Sequence, residues 1–278
     1  MDTYIVRNVG SYGFSSFSAP ESELERLIRQ AKVGLQFEKK IWASAGLKDD
    51  MQVLDIGCGP GVISTEIAKL VPYGHVHGLD ASQELLSVAD QIAKQGEHEN
   101  VTFSHGSVYE LPQHSNKYDF AYARFLYQHL EKPEQATEQI YEALAPGARF
   151  CVVDIDDAWL MLNPEPPSFR PFLEMAQEGQ RKRGGNRQVG RALASYFVHH
   201  GFQDVQTRVV TLTSHDLGME TFLKITTGFK HEQVDASKTQ LAQNSLKEIH
   251  EYMTKPGAWG AVGVFVCTGR KPERGGRA

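Results

Sequence analysis

Apolar positions along the chain change their spacing several times. From Pro20 onward, Leu24, Leu27, Ile28, Ala31, Leu35 and Ile41 recur mostly every three or four residues. That repeat lays one apolar stripe along a helix. Glu21, Glu23 and Glu25 fall near its start, where carboxylates meet the positive end of the helix dipole, and Gly46 can close it. Short apolar runs then take over. Val53-Leu54-Asp55-Ile56, Val76-His77-Gly78-Leu79, Val101-Thr102-Phe103, residues 118–123 and residues 149–154 read as five strands. Helices fall between them, over 62–71, from an N-capping Ser82 through Ala93, and over 133–144, where Pro133 opens the helix and Pro146-Gly147 follows its end. Strands at intervals of about 25–30 residues, separated by helices, predict a mostly parallel sheet covered on both faces.

Beyond Asp154 the pattern weakens. Pro164, Pro166, Pro167 and Pro171 interrupt 155–187, and the polar run Arg181-Lys182-Arg183-Gly184-Gly185-Asn186-Arg187 follows. A helix over 189–200, a strand over 205–212, a polar helical stretch over 215–255 and a closing strand over 261–267 complete the reading.

A length of 278 residues allows one large domain or two small ones, and the strand–helix rhythm favours one. Lys and Arg number 29 against 34 Asp and Glu, a net charge of −5, which argues against a body that coats a phosphate backbone. Hydrophobic residues at 41% suffice to bury a core. Cys58, Cys151 and Cys267 are odd in number and far apart, so they form neither a disulfide framework nor a Cys-rich zinc site. No apolar run approaches the ~20 residues a bilayer span needs, and the N-terminus lacks a signal-peptide pattern. The expected setting is reducing and cytoplasmic.

The chemistry concentrates at Asp55-Ile56-Gly57-Cys58-Gly59-Pro60-Gly61, between a strand and a helix. Glycines there permit a sharp turn and close backbone approach to a ligand, while the helix start offers free N–H groups. No Gly-Lys-Ser/Thr follows, so the turn is not a P-loop. Asp80, closing the second strand, can accept hydrogen bonds from both hydroxyls of a ribose, or it can serve only the helix start beside Ser82. Together the two features favour a nucleoside cofactor. Asp55 would repel a nearby pyrophosphate but receive a hydrogen bond from an ammonium, directly or through water. Charge therefore favours S-adenosylmethionine over NAD.

The segment 53–61, the string Gly78-Leu79-Asp80-Ala81-Ser82 and the later Leu144-Ala145-Pro146-Gly147-Ala148 resemble the class I S-adenosylmethionine-dependent methyltransferases. The resemblance is nearest to their ubiquinone/menaquinone-type and natural-product small-molecule branch. It covers 24–154 strongly, and 187–210 and 260–268 more weakly. It implies an α/β, Rossmann-like, seven-stranded and mostly parallel sheet with helices on both faces and a substrate-covering lid. The whole chain, 1–278, would be one domain, with an N-terminal arm and lid helices at 1–46, a core cofactor-binding unit at 47–155, and lid insertions at 156–187 and 213–258. The implied cofactor is S-adenosyl-L-methionine. The implied reaction moves its methyl group to an O, N or C nucleophile of a small or medium organic molecule and releases S-adenosylhomocysteine.

Carried onto this chain, the resemblance has Gly57, Gly59 and Gly61 wrap the cofactor, with Asp80 on its ribose and Ala81 beside the adenine. Ser107, with Val108, stands where relatives often place an Asp at the adenine amino group; a hydroxyl also accepts that bond, without charge assistance. Gln30 would close a lid over the amino-acid moiety, and Arg124 would meet a carboxylate or cap the cleft edge. His129, just past the fourth strand, is the candidate base. Tyr12 and Tyr127 would shape an aromatic wall. Trp159, with Phe14, Phe17, Phe169, Phe172, Met219 and Phe222, would make a substrate lid apolar. Asp154, Asp156 and Asp157 cluster after the fifth strand and could invite a divalent cation or bind an amine substrate, with a solvated loop as the favoured reading. No set of residues has metal-ligand spacing, and the basic run at 181–187 is a local patch. The expected partner is a small methyl acceptor, with no nucleic acid or membrane span, and the chain acting as monomer or homodimer. Two other readings stay open: an adenosyl-binding module without turnover, and an RNA or protein methyltransferase.

Overall fold

A computed structural model of the chain describes residues 11–14, 19–111 and 117–273. The chain enters through α1 (Pro20–Ala45), opened by Pro20 at its first turn and closed by Gly46 at φ +91°. It then alternates through β1 (Gln52–Ile56), α2 (Val62–Ala68), β2 (His75–Asp80), α3 (Gln83–Gln95), β3 (Val101–His105), β4 (Tyr118–Arg124), α4 (Pro133–Ala143) and β5 (Leu144–Asn163). The second half holds α5 (Phe169–Lys182), α6 (Leu193–His199), β6 (Gln203–Thr213), α7 (Ser214–Leu217), α8 (Met219–Thr226), α9 (Thr239–Met253) and β7 (Trp259–Arg270). Ser82 caps α3 as its residue type predicts, its hydroxyl accepting from the Leu85 N–H.

Among the described residues seven strands form one sheet in the order β3-β2-β1-β4-β5-β7-β6. β7 runs antiparallel to both β5 and β6, and the other pairings are parallel. This is the Rossmann-like, mostly parallel sheet with flanking helices that the alternation predicts. Apolar residues fill two clusters: Trp42, Phe120, Tyr122 and Phe172 belong to one, Tyr127, Phe150 and Phe197 to the other. The strand order reverses between β1 and β4. In open α/β sheets that reversal leaves a crevice at the carboxyl ends of the strands.

The second half corrects the sequence reading. β5 continues to Asn163, so Asp154, Asp156 and Asp157 lie buried on a strand, where a solvated loop was expected. Three acidic residues in four positions look like solvated chain because the cations that neutralise two of them come from distant segments. Asp156 is paired with Arg191, and Asp157 with Arg187 and Lys230. The helix expected over 189–200 divides into a 3-10 turn (Val189–Ala192) and α6. The stretch 215–255 breaks into α7, α8 and α9, with 3-10 turns at Lys230–Gln233 and Ala236–Lys238. The basic patch read at 181–187 is largely spent: Arg187 is buried, Arg183 donates to Gln233, and Lys182 pairs with Glu178 and Asp235. Among the described residues, no helix is long and apolar enough to cross a membrane and no cluster of metal-ligating side chains forms.

Candidate functional site

The turn from β1 to α2 is built from left-handed glycines, Gly57 at φ +70°, Gly59 at +55° and Gly61 at +73°. Side chains rarely adopt this conformation, so the sequence needs glycine at these points. The turn is tied to β2: Gly57 N–H and Cys58 N–H donate to the Leu79 carbonyl at 2.8 and 3.1 Å. Asp80 completes the tie. Its Oδ2 accepts from Gly59 N–H and its Oδ1 from Ser82 N–H, both at 2.8 Å. The Ala81 N–H also acts on this carboxylate, which still has acceptor capacity beyond its backbone donors. A Cβ placed on Gly59 would meet nothing within 4 Å, so that backbone lies bare toward the cleft. Gly61 differs, because a Cβ there would sit 2.6 Å from Ala89 and 2.8 Å from Phe103. It serves the packing of α2 on α3 and β3 and does not line the cleft.

Asp55, at the end of β1, is buried, and Ser64 Oγ donates to its Oδ2 at 2.6 Å. Burial, with Glu38 and Asp80 adding repulsion, pushes its carboxyl up to about 7. Burial also raises Asp80, against the opposing pull of its backbone N–H donors.

The facing wall comes from α1 and the end of β4. Arg124 is ion-paired with Glu38, and its Nη2 donates to the Gln30 carbonyl at 2.9 Å. Tyr122 donates to the other Glu38 oxygen at 2.8 Å. One helical turn earlier, Arg26 grips Glu23 through two bonds of 2.7 and 2.6 Å and reaches Gln30 Oε1 at 3.1 Å. Tyr12 donates to Glu23 at 2.8 Å, and with Phe14 it lines the cleft. Phe125, directly after β4, holds φ +51°, a strained conformation for an aromatic residue, at the rim of the site.

These elements enclose a cavity of about 220 Å³. Of the residues nominated from sequence, the cavity brings together Asp55, Gly57, Gly59, Asp80 and Ala81, then Ser107 and Val108, then Gln30, Arg124, Tyr12 and His129. Phe14 lines it too, and Phe17 lies outside the described residues. Besides Gly61, the expected lid residues Phe169, Phe172 and Phe222 are buried in the core with Met219 packed against it, and none of them lines the cleft. Tyr127 and Trp159 are elsewhere too. Tyr127 is fully buried between Phe150 and Tyr196, its hydroxyl bonded to Thr137 at 2.9 Å, so it is core and not an aromatic wall. Trp159 is 52% exposed on β5, edge-on to Phe265, and lines no part of the cleft. Aromatic identity was the only sequence signal for either, and core and surface positions carry it equally.

His129 stands against Tyr12, ring centres 5.1 Å apart. Its Nδ1 is 3.0 Å from Ser11 Oγ and accepts from Gln180 Nε2 at 3.3 Å, which leaves the ring proton on Nε2. Burial, then Arg187, Arg26 and Arg183, push its pKa down to about 3.

Sequence reasoning missed Glu23, Arg26 and Glu38. A signal existed: they fall on the buried stripe of α1 with Ala31, Trp42 and Ala45, at spacings where apolar residues are expected. It also missed a second cavity, of about 60 Å³, which shares Gln30, Arg124, Phe125, Gln128 and Phe229 with the first and contains Asp157, Arg187 and Lys230. No local pattern marks those three, which lie on separate elements.

A family profile described as "Methyltransferase domain" matches residues 47–203. The chain is 30% identical over 158 residues to an uncharacterized methyltransferase of Schizosaccharomyces pombe, covering 55% of this chain and 56% of that protein. It is 29% identical over 124 residues to the demethylmenaquinone methyltransferase of Listeria welshimeri, covering 44% and 52%. The chain thus spans about half the length of the curated relatives it matches. The solved phosphoethanolamine N-methyltransferase 2 of Haemonchus contortus, in complex with S-adenosyl-L-methionine, shares its fold with a TM-score of 0.62. Their sequence identity is 16%, over 94% of this chain and 60% of that one.

Proposed function

The chain belongs to the methyltransferase-domain family, and from that premise we propose that it carries the methyl group of S-adenosyl-L-methionine to an O, N or C nucleophile of a small organic molecule. The observation that carries this reading is the convergence of Asp55, Asp80 and the bare Gly59 backbone on one cleft. Two carboxylates there suit a ligand bearing an ammonium and a sulfonium, whereas a pyrophosphate would meet repulsion from both. When bound, the cofactor supplies an electrophilic methyl group on sulfur.

The chain's own residues then hold and orient. Asp80, its two oxygens already fixed by Gly59 and Ser82, accepts from the ribose hydroxyls. Gly57 and Gly59 admit close backbone approach, and Ala81, Ser107 and Val108 flank the adenine. Asp55 takes the ammonium, and Gln30 with Arg124 closes the amino-acid end. In-line displacement needs alignment and exclusion of water more than a fixed triad. Tyr12 and α1 serve that exclusion. His129, read from sequence as the base, carries its proton on Nε2 and resists a second one. We therefore assign it as a neutral hydrogen-bond donor on the cleft wall, a positioning role.

Titration calorimetry with S-adenosylmethionine, S-adenosylhomocysteine and NAD tests the reading, together with mass-spectrometric detection of S-adenosylhomocysteine released over a panel of small acceptors. Tight binding of the two adenosyl ligands and release with some acceptor are expected. Binding of NAD alone overturns the cofactor assignment. Adenosyl binding with no release across the panel turns the protein into a binding module.

A further inference from the structure

Around the ring of Phe229, which forms part of the wall between the two cavities, the buried charges do not balance. Arg26, Arg187 and Lys230 place their cationic groups 4.5, 5.3 and 5.4 Å from its centroid. Arg26 is matched by Glu23. Arg187 and Lys230 share a single carboxylate, Asp157. Arg187 binds it through two bonds of 2.7 and 3.1 Å, and Lys230 Nζ lies 3.0 and 2.9 Å from its two oxygens. All three are sequestered, with Lys230 1%, Asp157 3% and Arg187 4% exposed. The remaining Arg187 contacts, Gln128 Oε1 and Gln180 Oε1, are neutral.

Other nearby acids are committed elsewhere: Glu38 to Arg124 and Tyr122, and Asp156 to Arg191. Asp154 lines neither cavity and accepts from the backbone N–H groups of Gln128 and Ile155. Burial raises it to about 7 against the pull of those donors and Arg187, so below that pH it is largely neutral and leaves the cluster one anion short. Among the described residues, three cations, Arg124, Arg187 and Lys230, and one anion, Asp157, border the second cavity; with Arg124 matched by Glu38, one positive charge is left over. Gln30, Gln128 and Thr226 add neutral polar groups, and the rest of the wall is largely apolar, with Leu160, Leu212, Val262 and Val264 in it.

An uncompensated buried charge is strongly destabilising unless it finds a partner or is neutralised. Aromatic faces such as Phe229 offset only a small part of this. Burial, then Arg187, lower the Lys230 ammonium to about 7, with Asp157 opposing and Arg26 adding repulsion. Without a ligand, the cluster can balance itself by releasing the Lys230 proton.

We propose that this second cavity is the acceptor subsite and that it selects a monocarboxylate on an apolar body, the carboxylate restoring charge balance against Arg187 and protonated Lys230. The inference rests on the methyl-transfer reading, because it identifies the cavity's occupant with the methyl acceptor. The surplus of one positive charge matches a monoanion. A phosphate dianion would overshoot it and lose more hydration on entering an apolar cavity of this size.

The test uses the full chain saturated with S-adenosylhomocysteine. Acetate through octanoate and benzoate are titrated by calorimetry at pH 6.5, where Asp154 is mainly protonated, each against its amide, with phenyl phosphate alongside. The expected result is a series member that binds at least tenfold more tightly than its amide and more tightly than phenyl phosphate. Titrations in two buffers of different ionisation enthalpy should show proton uptake as Lys230 is recharged. Lys230→Met, whose melting curve reports folding, should lose at least tenfold in carboxylate affinity and the proton uptake with it. Equal binding of acids and amides across the series overturns the proposal, as does preference for the phosphate. Failure of S-adenosylhomocysteine itself to bind overturns the methyl-transfer reading instead. If Lys230→Met fails to fold, the acid–amide comparison on the unaltered protein still decides.

Discussion

At Asp55 and Asp80 the same side chain placed at two strand ends acquires two different tasks. Asp80 is fixed by backbone N–H groups with acceptor capacity to spare, the arrangement of a hydrogen-bond acceptor ready for a diol. Asp80→Ala should weaken S-adenosylmethionine binding at least tenfold by calorimetry, the loss of about 1.4 kcal/mol or more expected when charge-assisted hydrogen bonds are removed. Asp55 has a single side-chain donor, Ser64, and a carboxyl raised by burial to about 7. A cationic ligand favours its ionised form, so affinity should climb as pH rises through 7 and level off above it. Asp55→Asn should flatten that profile, and a wild-type pH dependence in this variant would remove Asp55 from the ammonium contact. His129 is the contrary case. A sequence shows a histidine at a strand exit, but whether it can take a proton depends on Gln180 and three arginines that only the fold brings near.

The elements differ in how much of them consecutive residues disclose. α1, β1 through β4, α3 and α4 were legible, because apolar spacing, capping residues and glycine turns act within a few positions. β5 was legible only to Asp154; its continuation carries buried acids whose partners lie on other segments. The short 3-10 turn at 230–233 was invisible, yet it delivers Lys230. It is seated by α5, where a Cβ on Gly179 would lie 2.0 Å from the Gln233 carbonyl oxygen. Gly179→Ala gains up to about 1 kcal/mol of helix propensity. Overpacking costs about 1–3 kcal/mol, with the upper end expected here because the obstruction is backbone. We expect a net loss of about 1–2 kcal/mol in urea unfolding. Unchanged stability would show that the 230–233 turn is free to withdraw.

Over the whole molecule, the buried titratable groups set how stability varies with pH. Lys230 is held below its ordinary value, so between about 7 and 10.5 the unfolded chain binds more protons than the folded one. Stability from this group is complete above 10.5 and lost as pH falls through 7. Asp55 and Asp154, both raised to about 7 chiefly by burial, act in the opposite sense: their contribution is complete below 3.8 and lost as pH rises through 7. Between pH 7 and about 8, below the raised Cys58, Cys151 and Cys267 thiols, Asp55 and Asp154 still titrate in that opposite sense. His129, lowered by burial, titrates in the same sense as Lys230, so comparison with a variant isolates Lys230. There Lys230 should add at most about 1.4 kcal/mol per pH unit to the slope of the unliganded protein's unfolding free energy. Lys230→Met should lower the slope by that share, and an unaltered slope would mean that Lys230 stays charged. The alternation of strand and helix, the glycine turn and its paired aspartates were determined by sequence alone, since each depends on spacing and conformation among neighbouring residues. Tertiary structure alone decided which charges are buried together: Asp157 meets Arg187 across 30 positions and Lys230 across 73, and Glu38 meets Arg124 across 86. A buried charge must be compensated in space, and chain order holds no record of which distant segment supplies its partner.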